Sequence, residues 1–126
     1  MDYSQLSDFE INKRVAEIVY SIEVVADDFY AKDVPFAYHR DGQVFIFIDE
    51  PLSGAWRSYN PCNNPADAWP IIVDNLIALK PVAMHVGGHR WFATKGGGDF
   101  GAQYSDNNPL RAAMIIFLIS QERAND

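Results

Sequence analysis

The chain has little of several things that usually announce a function. Its 126 residues include one cysteine, Cys62, so neither a disulfide framework nor a cysteine-built zinc cage is available. A reducing compartment fits that usage. Long apolar runs are missing too. The longest, "AAMIIFLI" from Ala112 to Ile119, falls far short of the ~20 residues that a membrane-spanning helix needs. The start, "MDYSQLSDFE", is polar and acidic where a signal peptide would be basic and then apolar. Positive charge is also scarce, with 10 Lys+Arg against 17 Asp+Glu and a formal net charge of -7. Nucleic-acid binding depends on cations that displace phosphate counterions. Neither nucleic acid nor membrane is therefore an expected partner, and the expected location is cytoplasmic. The acids are dispersed, the densest groups being the pairs Asp27-Asp28 and Asp49-Glu50, which is the pattern of a solvated surface.

What remains is the composition of a folded domain: 48% hydrophobic and 13% aromatic. A chain of this size forms one domain and buries roughly two thirds of its unfolded surface. Ser7 and Glu10 form a capping box and Leu6 and Ile11 a hydrophobic staple, and the stripe Ile11, Val15, Ile18, Val19 predicts a helix over 8–20. Residues 21–34 read poorly: "SIEVV" fits a strand or a continuation of the helix, and "DDFYAKD" a connecting segment. "PFAYHRDGQVFIFID" is a hairpin turning at Asp41-Gly42. It pairs Tyr38 with Phe45, Phe36 with Phe47, His39 with Val44 and Ala37 with Ile46. Both of its faces are largely apolar, so both expect cover.

"EPLSGAWRSYNPCNNP" has loop composition. A second helix follows, capped at Asn64 with Pro65 first, or at Asp67 with Pro70 third. Its expected apolar face is Trp69, Ile72, Val73, Leu76 and Ile77, and it ends near Leu79 before Pro81. "VAMHVGGHRWFAT" predicts a second hairpin turning at Gly87-Gly88, with Met84 facing Trp91 and Ala83 facing Phe92. "KGGGDFGAQYSDN" is a loop in this reading. The last helix is capped by Asn108 with Pro109 first, and it is apolar nearly all round, as deeply buried or subunit-contact helices are. The expected fold is a single α+β domain in the order helix, hairpin, helix, hairpin, helix. Its arrangement is an α-β-α sandwich of one antiparallel sheet and three helices, or a two-layer domain completed by a dimer partner.

The opening Asn-Asn-Pro occurs twice, at Asn63 and Asn107, each time before an apolar run, and marks two helix starts rather than a catalytic motif. Other short matches fail on context. "GGGDFG" has the G-x-G-x-x-G spacing, but polar "AQYSDN" follows where a dinucleotide site needs a helix. "HRD" at His39 and "DFG" at Asp99 echo protein-kinase motifs. The first sits in a hairpin turn without the required asparagine. Across the Gly87-Gly88 turn His85 pairs with Arg90 and Val86 with His89, which sends the two histidines to opposite faces and predicts no metal site. Cys62, in a Pro/Asn-rich loop, reads as a small packed residue. No catalytic residue, metal or cofactor is expected.

Recognition is the remaining candidate. Trp56, Arg57, Tyr59, Asn63, Asn64 and Trp69 bring aromatic rings, a guanidinium and amides together in one stretch, as binding surfaces do. The starts of the second and third helices, with Arg111 at one of them, offer an alternative site for a small anionic ligand. The blander expectation is that Trp69 is core and that Arg111 pairs with Asp67 or another surface acid. Finally, "MDYSQLSDFEINKRVAE", "NPCNNPADAWPIIVDNLIAL" and "NPLRAAMIIFL" resemble the NinX-like family of small proteins encoded by lambdoid phages and their prophages. The resemblance implies a phage or prophage accessory protein and no activity. The expected function is non-catalytic binding to a host or phage protein, with a small anionic metabolite or nucleotide-like signal as the alternative ligand. A homodimer through the last helix is a further expectation.

Overall fold

Ser7 stops the chain in an extended conformation and starts helix α1 (Asp8–Val19). Its hydroxyl accepts from the Glu10 N–H at 3.2 Å, and the Glu10 carboxylate accepts from the Ser7 N–H at 3.3 Å. Two otherwise orphaned donors are satisfied by that exchange. Ile11 and Val15 are buried along the helix. The structure, a computed structural model, describes residues 2–30, 35–47, 56–96 and 102–124.

The first sheet follows in the order β1-β2-β3-β4: β1 (Val24–Ala26), β2 (Ala37–Arg40), β3 (Gln43–Phe47) and β4 (Trp56–Tyr59). The β2–β3 register is the expected one, including Tyr38 with Phe45 and His39 with Val44. Asp41 (φ 52°) and Gly42 (φ 76°) make the tight turn, since two residues with positive φ match the twist of a hairpin. Two further strands complete this sheet. In the ambiguous stretch after α1, β1 pairs parallel to β2. The Trp56–Tyr59 stretch, expected as loop, pairs antiparallel to β3.

Helix α2 (Pro65–Asp74) is capped by Asn64, whose side chain accepts from Ala66 N–H at 3.0 Å. Pro70 thus lies inside the helix on its exposed side, where water can take the carbonyl it leaves unpaired. The expected apolar face is corrected. Asp67, Ala68, Ile71 and Ile72 are buried, while Trp69 is 63% exposed, Val73 48% and Leu76 84%. Leu76 turns the chain at φ 53°, so the helix ends before Leu79, and Ile77 begins a strand. Pro81 is accommodated because β5 (Ile77–Ala83) is an edge strand of the second sheet, the usual place for proline within a sheet.

That second sheet has the order β5-β6-β7, completed by β6 (His89–Lys95) and β7 (Ala102–Asp106). Its hairpin register differs from the expected one. Pro81 pairs with Trp91, Lys80 with Phe92 and Ala83 with His89. The turn spans Met84 to Gly88, closed by Met84 N–H to Gly88 O at 3.0 Å, rather than two glycines alone. His85 therefore sits in the turn and is not opposite Arg90. Polar "AQYSD", expected as loop, is β7; its strand character lies in pairing with β6. The expected glycine loop at 97–101 lies outside the described residues.

Helix α3 (Pro109–Ala124) buries every residue from Ala112 to Leu118. A helix apolar all round needs neighbours all round. It lies across β5, β6 and β7, and α1 and α2 pack against it as well. Helix α1 in turn packs on β1 and β3. The strands thus divide into two sheets with α1 and α3 between them, rather than one sheet between helices. The single α+β domain and the order helix, hairpin, helix, hairpin, helix stand.

Candidate functional site

The two Asn-Asn-Pro motifs meet in space. Asn108 caps α3, accepting from Leu110 N–H at 2.9 Å and Arg111 N–H at 3.3 Å. Its amide donates to the Cys62 carbonyl at 2.8 Å and to the Asn63 side chain at 3.2 Å. Asn63 donates to Asp8 at 3.0 Å, in the first turn of α1. The starts of all three helices are therefore joined at one junction.

Arg111 closes it. Its guanidinium contacts the Asp8 carboxylate, donates to Asp106 at 3.3 Å, and donates to the backbone carbonyls of Leu6 at 2.7 Å and Ser4 at 3.4 Å. Burial opposes its charge, but the hydrogen bond and charge of Asp8 outweigh burial and raise its pKa. The positive ends of the helices and Arg111 among them are thus met by the protein's own carboxylates and caps.

Arg57 plays a similar part nearby. It contacts Asp67, which is buried at the third position of α2 and also accepts from the Asn60 N–H at 2.9 Å. The Asp67 hydrogen bond, ahead of its charge, holds the Arg57 pKa up. The pair ties β4 to α2. Tyr59 is 2% exposed, and burial raises its pKa. Cys62 is fully buried and its N–H donates to Asn12 at 3.0 Å. Burial first, then the Asp8 charge, pushes its thiol up to about 12. A thiol that keeps its proton is a poor nucleophile.

Of the residues on β4 read as part of a recognition stretch, Trp56 alone reaches a different kind of surface. Alternation along β4 sends Arg57 and Tyr59 to the side facing the helices and Trp56 to the other side. There Trp56 meets Tyr38 edge-on at 4.8 Å and Phe47 at 5.3 Å. Tyr38 stacks on Phe45 at 5.0 Å. Phe29 lies against both Tyr38 and Trp56, at 5.5 and 6.3 Å. Each such ring pair is worth ~0.5–1.5 kcal/mol beyond its buried area. Among the described residues no helix covers this side of the sheet, and Tyr30 (74% exposed) and Phe36 (71%) stand in the open beside it.

At the Phe36–Phe47 end, a cavity of ≈ 330 Å³ opens between Tyr20, Ile22, Phe36, Ile46 and Phe47. The sequence hinted at this face through the double-sided apolar hairpin. The hint was incomplete because covered and uncovered strand faces carry the same residue types.

The family model described as "Bacteriophage P22, NinX" matches residues 2–121. The chain belongs to this family. No curated protein and no solved structure matches the NinX-family chain significantly. The match spans nearly the whole domain, both sheets and the three-helix junction included. Among the described residues, no helix is long and apolar enough to cross a membrane. No group of three His, Cys, Asp or Glu among them is placed to hold a metal ion.

Proposed function

We propose that this phage protein acts in the bacterial cytosol as a non-catalytic binding protein, with the aromatic side of its first sheet as the contact surface for a host or phage protein. One observation carries the reading. Tyr38, Phe45, Phe47 and Trp56 form a continuous aromatic face that no helix covers among the described residues. Aromatic side chains dominate binding energy at interfaces. Tyr38 is itself buried at 8% exposure, so the accessible part of the face is the half-buried Phe45, Phe47 and Trp56 with the exposed Tyr30 and Phe36 beside them, and exposed aromatic surface of this kind marks contact sites. The polar residues at the helix junction support the same reading from the other direction, because they serve the fold.

The test places a photo-crosslinking amino acid at Phe45, and as a control at Gln103 on the outer side of the second sheet, in cells of the bacterial host. The expected result is one protein captured from Phe45, absent from Gln103, and lost when Trp56→Ala is combined with the Phe45 probe while circular dichroism shows the variant folded. Equal capture from both positions, or capture indifferent to Trp56→Ala, sinks the reading.

A further inference from the structure

We infer that the aromatic face takes a basic, arginine-bearing segment of its protein partner. This rests on the binding role proposed for that face and adds the chemistry of what binds. The face shows that chemistry on a side chain of its own. The Arg40 guanidinium lies 5.8 Å from the centre of the Tyr38 ring and contacts the Asp27 carboxylate. A planar cation over a ring, held by an acid at the rim, is the arrangement a guanidinium favours.

The charge around the face extends the argument. By strand alternation the outward residues of the sheet are Val25, Tyr38, Arg40, Gln43, Phe45, Phe47, Trp56 and Ser58, so Arg40 is the one cation there, and Asp27 already engages it. Asp28, the sequence neighbour of Phe29, and Asp41, in the turn after Arg40, are both exposed; neither is within ion-pair distance of a cation among the described residues, although the Asp41 charge adds to the hold on Arg40. With a net charge of -7 the protein attracts a cationic chain and repels an acidic one before contact. At the end of the sheet, where Phe36 and Phe47 meet Tyr20, Ile22 and Ile46 from the helix side, the ≈ 330 Å³ cavity adds room for a bulky apolar side chain. The partner segment therefore combines arginines with at least one large apolar residue.

The experiment is calorimetric titration of the full chain with three peptides of equal length: arginine alternating with leucine, and the same sequence with glutamine or with glutamate in place of arginine. At low salt the arginine peptide should bind at least tenfold more tightly than the glutamine peptide, and the glutamate peptide more weakly still. Raising the salt to near-molar should remove most of the difference. D28N with D41N should also shrink the arginine preference, and both changes leave the fold intact because the residues are exposed and asparagine tolerates the turn. Equal binding of the arginine and glutamine peptides, still abolished by Trp56→Ala, overturns the charge inference and leaves the binding face standing. Binding of all three that ignores Trp56→Ala overturns both. Absence of arginine-peptide binding overturns the inference alone, since capture at Phe45 is measured separately.

Discussion

Replacing Arg111 with alanine should destabilise the domain by about 2–3 kcal/mol. The magnitude follows from how buried its partners are. Removing one member of a fully buried ion pair costs ~3–5 kcal/mol, and an exposed pair is worth ~0–1 kcal/mol. The Arg111 side chain is 14% exposed, Asp106 21% and Asp8 43%, between those limits. The Leu6 and Ser4 carbonyls lose a donor as well, and two carboxylates are left facing each other without their cation. For a chain of this length the melting temperature should fall by roughly 3–5 °C per kcal/mol.

Urea unfolding followed by circular dichroism reads the free energy directly. A double-mutant cycle with Asp8→Asn should return a coupling of ~1 kcal/mol or more, because the residues touch. An Arg111→Ala loss under ~0.5 kcal/mol, or strict additivity with Asp8→Asn, would refute the claim that this arginine ties the helix starts together. Inorganic phosphate at millimolar concentration should leave the melting temperature unchanged. A clear rise would revive the small-anion reading of the helix starts.

Trp69→Ala should cost under ~1 kcal/mol because the ring is mostly exposed, whereas Ile115→Ala, with no exposed surface, should cost ~2–5 kcal/mol; comparable losses would refute the burial assignment. Cys62 should stay unlabelled by thiol reagents at pH 8 until denaturant is added, since its thiol is buried and its pKa raised to about 12. Rapid native labelling would contradict that. Tyr3, held by burial and by its 2.7 Å hydrogen bond to Glu122, also has its pKa pushed up to about 12. Both groups keep their protons longer folded than unfolded, so their contribution is whole below pH 9 and is lost as the pH climbs from 9 through about 12. Stability measured across that range should fall; a flat profile would count against both assignments.

The elements with local signals were legible. The capping box of α1, the Asn-Pro starts of α2 and α3, and the Asp41-Gly42 hairpin register are written in neighbouring residues. The failures share a cause. Trp56–Tyr59 and Ala102–Asp106 are strands because β3 and β6 offer them ladder partners, and no short-range pattern reports that. Trp69 lies on the exposed side of α2; that helix carries apolar residues on two sides, and periodicity does not say which side meets the core. The Gly87-Gly88 pair suggested a two-residue turn, yet the strand edge chose a longer one. At the candidate site, Arg57, Asn63, Asn64 and Arg111 hold the helix starts in place, while the rings that Trp56 joins lie up to 27 positions away in the chain.

Helix α3 is made after everything it packs against. On the ribosome, α1 and both sheets must wait for Ala112 to Leu118, and Asp8 must wait for a guanidinium 103 positions further on. Contacts this distant in sequence delay folding until late in synthesis. A message cut short before that helix would yield a chain with its apolar surfaces unpaired, a product for proteases rather than a weaker version of the protein.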